Sequence, residues 1–183
     1  MKWKLLFFTG ILFSTFSQLN AQIEGAYLHT KEFKAFGFGA FLNYKIPAGE
    51  AAFLTPEVGL YYFKKEGEGL AMIPLLLGYQ YTFNGSGTGL FVEPIAGYTF
   101  GDSDVAQYDE NGAVLSDPNN PGDYLKQMAK GPTAALAAGY IFDGEKPVTL
   151  GLKYQRVFVA SGPAVNLATL RFSWPLFGGR KQY

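Results

Sequence analysis

Residues 70 to 83 read LAMIPLLLGYQYTF, and their order of apolar and polar positions sets the theme for the chain. Ile73, Leu75, Leu77, Tyr79, Tyr81 and Phe83 share one parity, while Met72, Pro74, Leu76, Gly78, Gln80 and Thr82 share the other. A membrane-spanning helix needs about 20 apolar residues, more than this run supplies. Pro74 would also remove a donor in mid-helix, and the period is 2 rather than 3.6. The stretch is therefore a strand. The same alternation predicts eight strands, over residues 23–31, 34–46, 51–64, 69–83, 88–101, 131–143, 147–159 and 164–176. The breaks PAGE (47–50), NGSGTG (84–89) and DGEKP (143–147) are short and made of turn formers. Residues 101–130, by contrast, are polar, lack a strand period and predict one long exposed loop. Tight turns at one end and a long loop at the other predict an all-β, eight-stranded, antiparallel up-and-down transmembrane barrel. Its long loop would face the outside of the cell and its termini the periplasm.

Alternation alone does not say which face is wet, since a soluble barrel has the same period with its apolar side inward. The less apolar parity decides it. Against Phe36, Phe38, Ala40, Leu42, Tyr44 and Ile46 stand Gly37, Gly39, Phe41, Asn43 and Lys45; against Leu170, Phe172 and Trp174 stand Thr169, Arg171 and Ser173. A water-facing surface carries roughly a quarter to a third charged residues. Here the mid-strand ionisable groups are Glu57, Glu93, Lys153 and Arg171, with Asn43, Gln80 and Gln155 of similar type. Two acids and two bases in a narrow lumen can neutralise one another. Small residues on the same face suit an interior that has room for side chains and little more.

The rings fall into two groups by height. Phe36, Phe38, Tyr62, Tyr98, Phe100 and Phe158 lie toward the loop end; Tyr79, Tyr81, Phe83, Tyr140, Phe142 and Trp174 lie toward the turn end. Two aromatic belts are what the two interfaces of a bilayer select. Pro56, Pro74 and Pro94 lie inside strands of a sheet with no free edge, which predicts bulges or local unpairing.

Composition agrees with many strands and turns. The 183 residues are 48% hydrophobic, 17% aromatic and only 16% charged, with 23 glycines. Residues 1–21 begin with Lys2 and Lys4, continue through an apolar stretch from Leu5 to Phe16 and reach Ala21, the pattern of a secretory signal peptide. Cutting there leaves a barrel domain of residues 22–183. Removing Lys2 and Lys4 leaves 13 basic against 15 acidic residues, a formal charge of −2 that does not suit nucleic acid as a partner. The absence of cysteine excludes disulfides, thiolate metal sites and a lipid-anchor cysteine.

Four stretches, MIPLLLGYQYTF (72–83), FVEPIAGYTFG (91–101), LAAGYIF (136–142) and LATLRFSWPLF (167–177), span most of this barrel domain. Together they resemble the small outer-membrane β-barrel proteins of Bacteroidota, the PorT-like or "outer membrane protein beta-barrel domain" family. The resemblance implies a fold and a place in the outer membrane, with no catalytic residue or cofactor. One departure is the GGRKQY tail after Phe177, since such barrels often end on an aromatic in the last strand.

Some eight-stranded outer-membrane barrels modify lipids, which makes enzyme chemistry an alternative expectation. The sole histidine, His29, lies near the loop end of the first strand, and Asp102 and Ser103 lie near that end of the fifth. A histidine, a hydroxyl and a carboxylate at one rim would supply an acyl-transfer set. DPNNPG (117–122) matches a calcium loop only at its first, third and sixth positions and lacks the closing glutamate. Solvation and turn formation explain these residues as well, so no cofactor or metal is assigned. Long loops on rigid scaffolds carry function. Tyr108, Leu115, Tyr124 and Met128 are the candidate contacts to a protein or surface ligand. The leading reading is an outer-membrane barrel in contact with lipid, with a structural or surface-interaction role and no catalysis. The alternatives are a lipid-modifying enzyme built on His29, a soluble exported ligand-binding barrel and a narrow solute passage.

Overall fold

The computed structural model describes residues 19–30, 33–103, 106, 113–117, 120, 122–126, 129–160 and 163–177. Its strands are β1 (Leu19–His29), β2 (Lys34–Tyr44), β3 (Ile46–Pro47), β4 (Ala52–Lys65), β5 (Glu68–Thr82), β6 (Gly89–Ser103), β7 (Gly131–Phe142), β8 (Val148–Val157) and β9 (Val165–Pro175). The two residues of β3 continue β2 beyond Lys45 on the same partner, β4, so the wall has eight staves. Every pairing is antiparallel. The sheet closes because β1 pairs with both β2 and β9 while β2 also pairs with β4.

The register fixes the tilt. From Asn20, paired positions lead through Asn43, Glu57, Leu76, Gly97, Thr133 and Val157 to Val165. His29 pairs with Asn166, so Val165 lies level with Thr30. The circuit thus re-enters β1 at position 30 instead of 20, a stagger of ten residues, and a stagger of this kind tilts the staves by about 35–45°.

Burial alternates along each stave as a closed wall between two media requires. Phe38 and Leu75 are 81% and 47% exposed, whereas Glu93 and Lys153 are each 2% exposed. The broad apolar side faces outward and the ionisable side inward, which excludes the soluble barrel. Both aromatic groups line the outside, in contacting pairs such as Tyr98 with Phe100 and Tyr140 with Phe142, each 4.9 Å between ring centres.

The prolines show how the sheet tolerates a missing donor. The β4–β5 ladder skips the Gly59–Pro74 and Leu60–Ile73 steps and resumes at Tyr61–Met72 in the same register. The β5–β6 ladder skips Tyr79–Pro94 and Gln80–Glu93 in the same way, and Pro56 sits opposite the break between β2 and β3. Register is unchanged across each break, so no residue is inserted and the result is unpairing, not a bulge. On its other side each proline stays in step, Pro56 with Leu77, Pro74 with Thr99 and Pro94 with Leu136.

Two boundaries differ from the sequence reading. β1 starts at Leu19, with Leu19 opposite Tyr44 and Ala21 opposite Trp174, because the inward–outward alternation extends through LNAQIEGA. Residues 101–130 do carry some ladder. β6 runs to Ser103, Ala106 bridges Lys126 and Ser116 bridges Tyr124. The Leu125 amide also donates to the Leu115 carbonyl at 2.7 Å. Backbone pairing here outweighs the weak side-chain period, and the described stretches 113–117 and 122–126 pair as a short irregular ribbon. At the same end β4 and β5 turn tightly through Glu66 and Gly67, both at positive φ (53° and 93°), a type I′ hairpin.

Candidate functional site

The inside of the barrel is filled in three layers. Toward the loop end Leu28, Phe33, Tyr61, Phe63, Met72 and Leu167 belong to one apolar cluster. Phe33 is brought over the opening by the turn after β1, where its amide bonds the Thr30 hydroxyl at 2.8 Å. Toward the turn end Leu76, Phe91, Ile95, Ala137 and Ile141 form a second cluster. Inward glycines make room for the rings: a Cβ on Gly39 would lie 2.6 Å from both Phe41 and Tyr61, and one on Gly59 would enter the Phe41 ring.

Between the clusters lies an ionic layer that unites strands far apart in sequence. Lys153 Nζ is 2.7 Å from Glu24 Oε1 and 3.2 Å from Glu57 Oε1. The Arg171 guanidinium spans two acids, with Nη2 2.8 Å from Glu57 Oε2 and Nη1 2.8 Å from Glu93 Oε2. Arg171 Nη2 also donates to Gln22 Oε1 at 2.8 Å, and Gln22 Nε2 donates to Glu24 at 2.7 Å. Asn43 Nδ2 donates to the same Gln22 oxygen at 3.0 Å. The Tyr61 hydroxyl donates to Glu24 and the Thr55 hydroxyl to Glu93. Gly78 leaves the space for that last contact, which a Cβ would obstruct. Lys153 Nζ also lies 4.7 Å from the centre of the Phe41 ring.

Glu57, Glu93, Lys153 and Arg171 are thus brought together, and the layer holds members beyond those four. Glu24 is buried at its heart, giving three acids to two bases, with Tyr61, Thr55 and Gln22 donating to the extra carboxylate charge. A first strand beginning at Ile23 puts Glu24 beside a terminus; the alternation from Leu19 makes it mid-strand, and that was the available signal. Gln155 is also buried, yet both its amide atoms lack a protein partner among the described residues, a polar spot suited to ordered water.

The histidine set does not come together. His29 is exposed on β1 and Asp102 is exposed on β6. Three staves lie between β1 and β6 in either direction around the barrel, so the two residues stand on opposite sides of it. Ser103 pairs along the backbone with Leu70, next to Asp102 and equally far from His29. Of the loop residues, Leu115 is exposed and Tyr124 half-buried, while Tyr108 and Met128 lie outside the described residues. Among the described residues no group of three or more His, Asp or Glu side chains is placed to hold a metal ion.

No family model matches the chain, and no curated protein matches it in sequence. Its fold does have solved counterparts. Neisserial surface protein A superposes with a TM-score of 0.55 at 12% identity, covering 85% of this chain and 93% of that one. The attachment invasion locus protein Ail of Yersinia pestis gives 0.56 at 8% identity, over 85% and 95% of the two chains. Ail has also been solved with the heparin analogue sucrose octasulfate. At these identities the likeness is one of fold. The outward apolar belt, aromatic girdles and closed eight-stave wall make the chain an integral barrel of the outer membrane.

Proposed function

We propose that this protein acts through contact at the cell surface and not by passing solute, with residues 101–130 outside the cell and both termini on the periplasmic side. The observation that carries this reading is the filled lumen. Two apolar layers close it above and below, and between them Arg171 and Lys153 tie together acids from β1, β4 and β6. Nothing in that packing resembles the water-filled interior of a porin. The loop is the longest connection and carries Asp102, Asp104, Asp109, Glu110, Asp117 and Asp123 against Lys126 and Lys130. Such a ribbon suits a partner with a basic surface better than a sulfated ligand of the kind bound by Ail, and Tyr108, Leu115, Tyr124 and Met128 supply its apolar contacts. The four sequence stretches that resemble the Bacteroidota barrels support membership of that family. Residues 1–21 serve as the export signal in this reading, so that cleavage trims β1 to Gln22–His29 and keeps Gln22 and Glu24 of the ionic layer.

Two measurements test it. Full-length protein folded into a planar bilayer should give no stepwise conductance, and trypsin added to intact expressing cells should cut at Lys126 or Lys130. Clear single-channel steps, or a loop protected until the outer membrane is opened, would overturn the proposal.

A further inference from the structure

The lipid-facing wall is not uniform. Over β7, β8, β9, β1 and β2 it dips into an open groove of about 680 Å³, a size usual for small-ligand sites. Its small outward residues Gly25, Ala138 and Ala168 each stand beside a large one, Phe38, Leu152 and Tyr154 respectively. A Cβ placed on Gly25 would meet nothing within 4 Å, so the groove is deepest where the chain has no side chain at all.

Directly above it, toward the loop end, runs a row of outward polar residues. Lys34 pairs with His29, His29 with Asn166 and Asn166 with Arg156, each opposite the next across neighbouring staves. The row stands two residues above Phe36, Tyr27, Ala168 and Tyr154, which face the same side. The Tyr154 hydroxyl donates to Asn166 Oδ1 at 3.0 Å and so links groove wall to row. Lys34, His29 and Arg156 are exposed, and among the described residues no carboxylate faces outward on these five staves at this height. Two like cations this close to a hydrocarbon belt, with no described acid beside them, ask for an anion at the interface.

From this juxtaposition we propose a lipid-binding site: the groove takes an acyl chain of a phosphorylated, multiply acylated glycolipid of the outer leaflet, and Arg156 and Lys34 hold its phosphates. Arg156 offers the bidentate fork that phosphate favours and Lys34 a point charge. A second copy of the chain is a poorer occupant, because two barrels in one membrane meet at equal height and would set cationic row against cationic row. The choice of leaflet rests on the loop end being outside the cell.

The test uses full-length protein folded in detergent, with retained lipid read by native mass spectrometry. The probes are bisphosphorylated lipid A, the same lipid stripped of phosphate, and phosphatidylglycerol. Lipid A should be retained best and should bind about tenfold more weakly once dephosphorylated. A similar fall is expected in Lys34→Gln/Arg156→Gln, which removes the charge, and in Gly25→Leu/Ala168→Leu, which fills the groove. Heat-modified gel migration shows that each variant is folded. Equal retention by wild type and both variants would overturn the site, as would a preference for phosphatidylglycerol or a dimer that the groove-filling variant abolishes. Trypsin cleavage of the loop in intact cells separates a wrong orientation from a wrong ligand.

Discussion

Basic side chains occur in two settings in this barrel, and the contrast between them is instructive. Arg171 and Lys153 are buried in the lumen and each meets at least two carboxylates. Arg156 and Lys34 are exposed at the loop-end rim, and none of the described acids forms an ion pair with either. A charge inside a low-dielectric interior persists only with partners and hydrogen bonds, so the inner pair belongs to the structure of the lumen. A charge at the interface keeps its hydration at small cost and is free to meet a ligand. The same residue types therefore hold the wall together on one side and, in our proposal, recognise lipid on the other.

The largest effect should come from breaking the inner set. Arg171→Met strands Glu93, which has no other cation among the described residues, leaves Glu57 with Lys153 alone, and is expected to cost about 3–5 kcal/mol. Urea unfolding of the protein folded in detergent, read by heat-modified gel migration, measures it; a loss no larger than that of Arg156→Gln would erase the contrast. Placing a charge where neither setting supports it comes next. Leu75→Arg, in the middle of the lipid face, should cost about 2–4 kcal/mol in lipid vesicles. Stability unchanged from wild type would mean that β5 does not face hydrocarbon. Smallest is a packing change that leaves all charges alone. Gly59→Ala forces the Phe41 ring aside, and overpacking of this kind costs about 1–3 kcal/mol. The same unfolding assay on Gly25→Ala, whose new methyl meets open space, is the control and should show almost no change.

Much of this arrangement was legible in the sequence because a strand alternates with a period of two and a barrel wall divides two media. Once the run from Ile73 to Phe83 was taken as lipid-facing, the inward position of Glu93 and Arg171 followed from parity. What parity cannot give is position around the circle. His29 and Asp102 share a height and a direction, and only the order of staves places them on opposite sides. The loop ribbon escaped for a different reason: it is held by backbone bonds such as Asp117 to Asp123 at 3.0 Å, which leave little trace in side-chain order. Gln22 was hidden because an apparent chain start separated it from the strand it belongs to, although three of its neighbours in the ionic layer had been recognised. The groove under Arg156 depends on Gly25 and Ala168 falling diagonally across the joint between β1 and β9, a coincidence of register that no single segment contains.

The interrupted ladders leave the staves unequally laced. β4 and β5 each have a gap on both flanks: β4 at Thr55 and Pro56 on one side and at Gly59 and Leu60 on the other, and β5 opposite those last two and again opposite Pro94 and Glu93. A barrel with two such staves has a built-in zone of weakness: when the cylinder is pulled open or transiently breathes, the tear should start along the three seams that flank them and spare the uninterrupted joints around β1, β8 and β9.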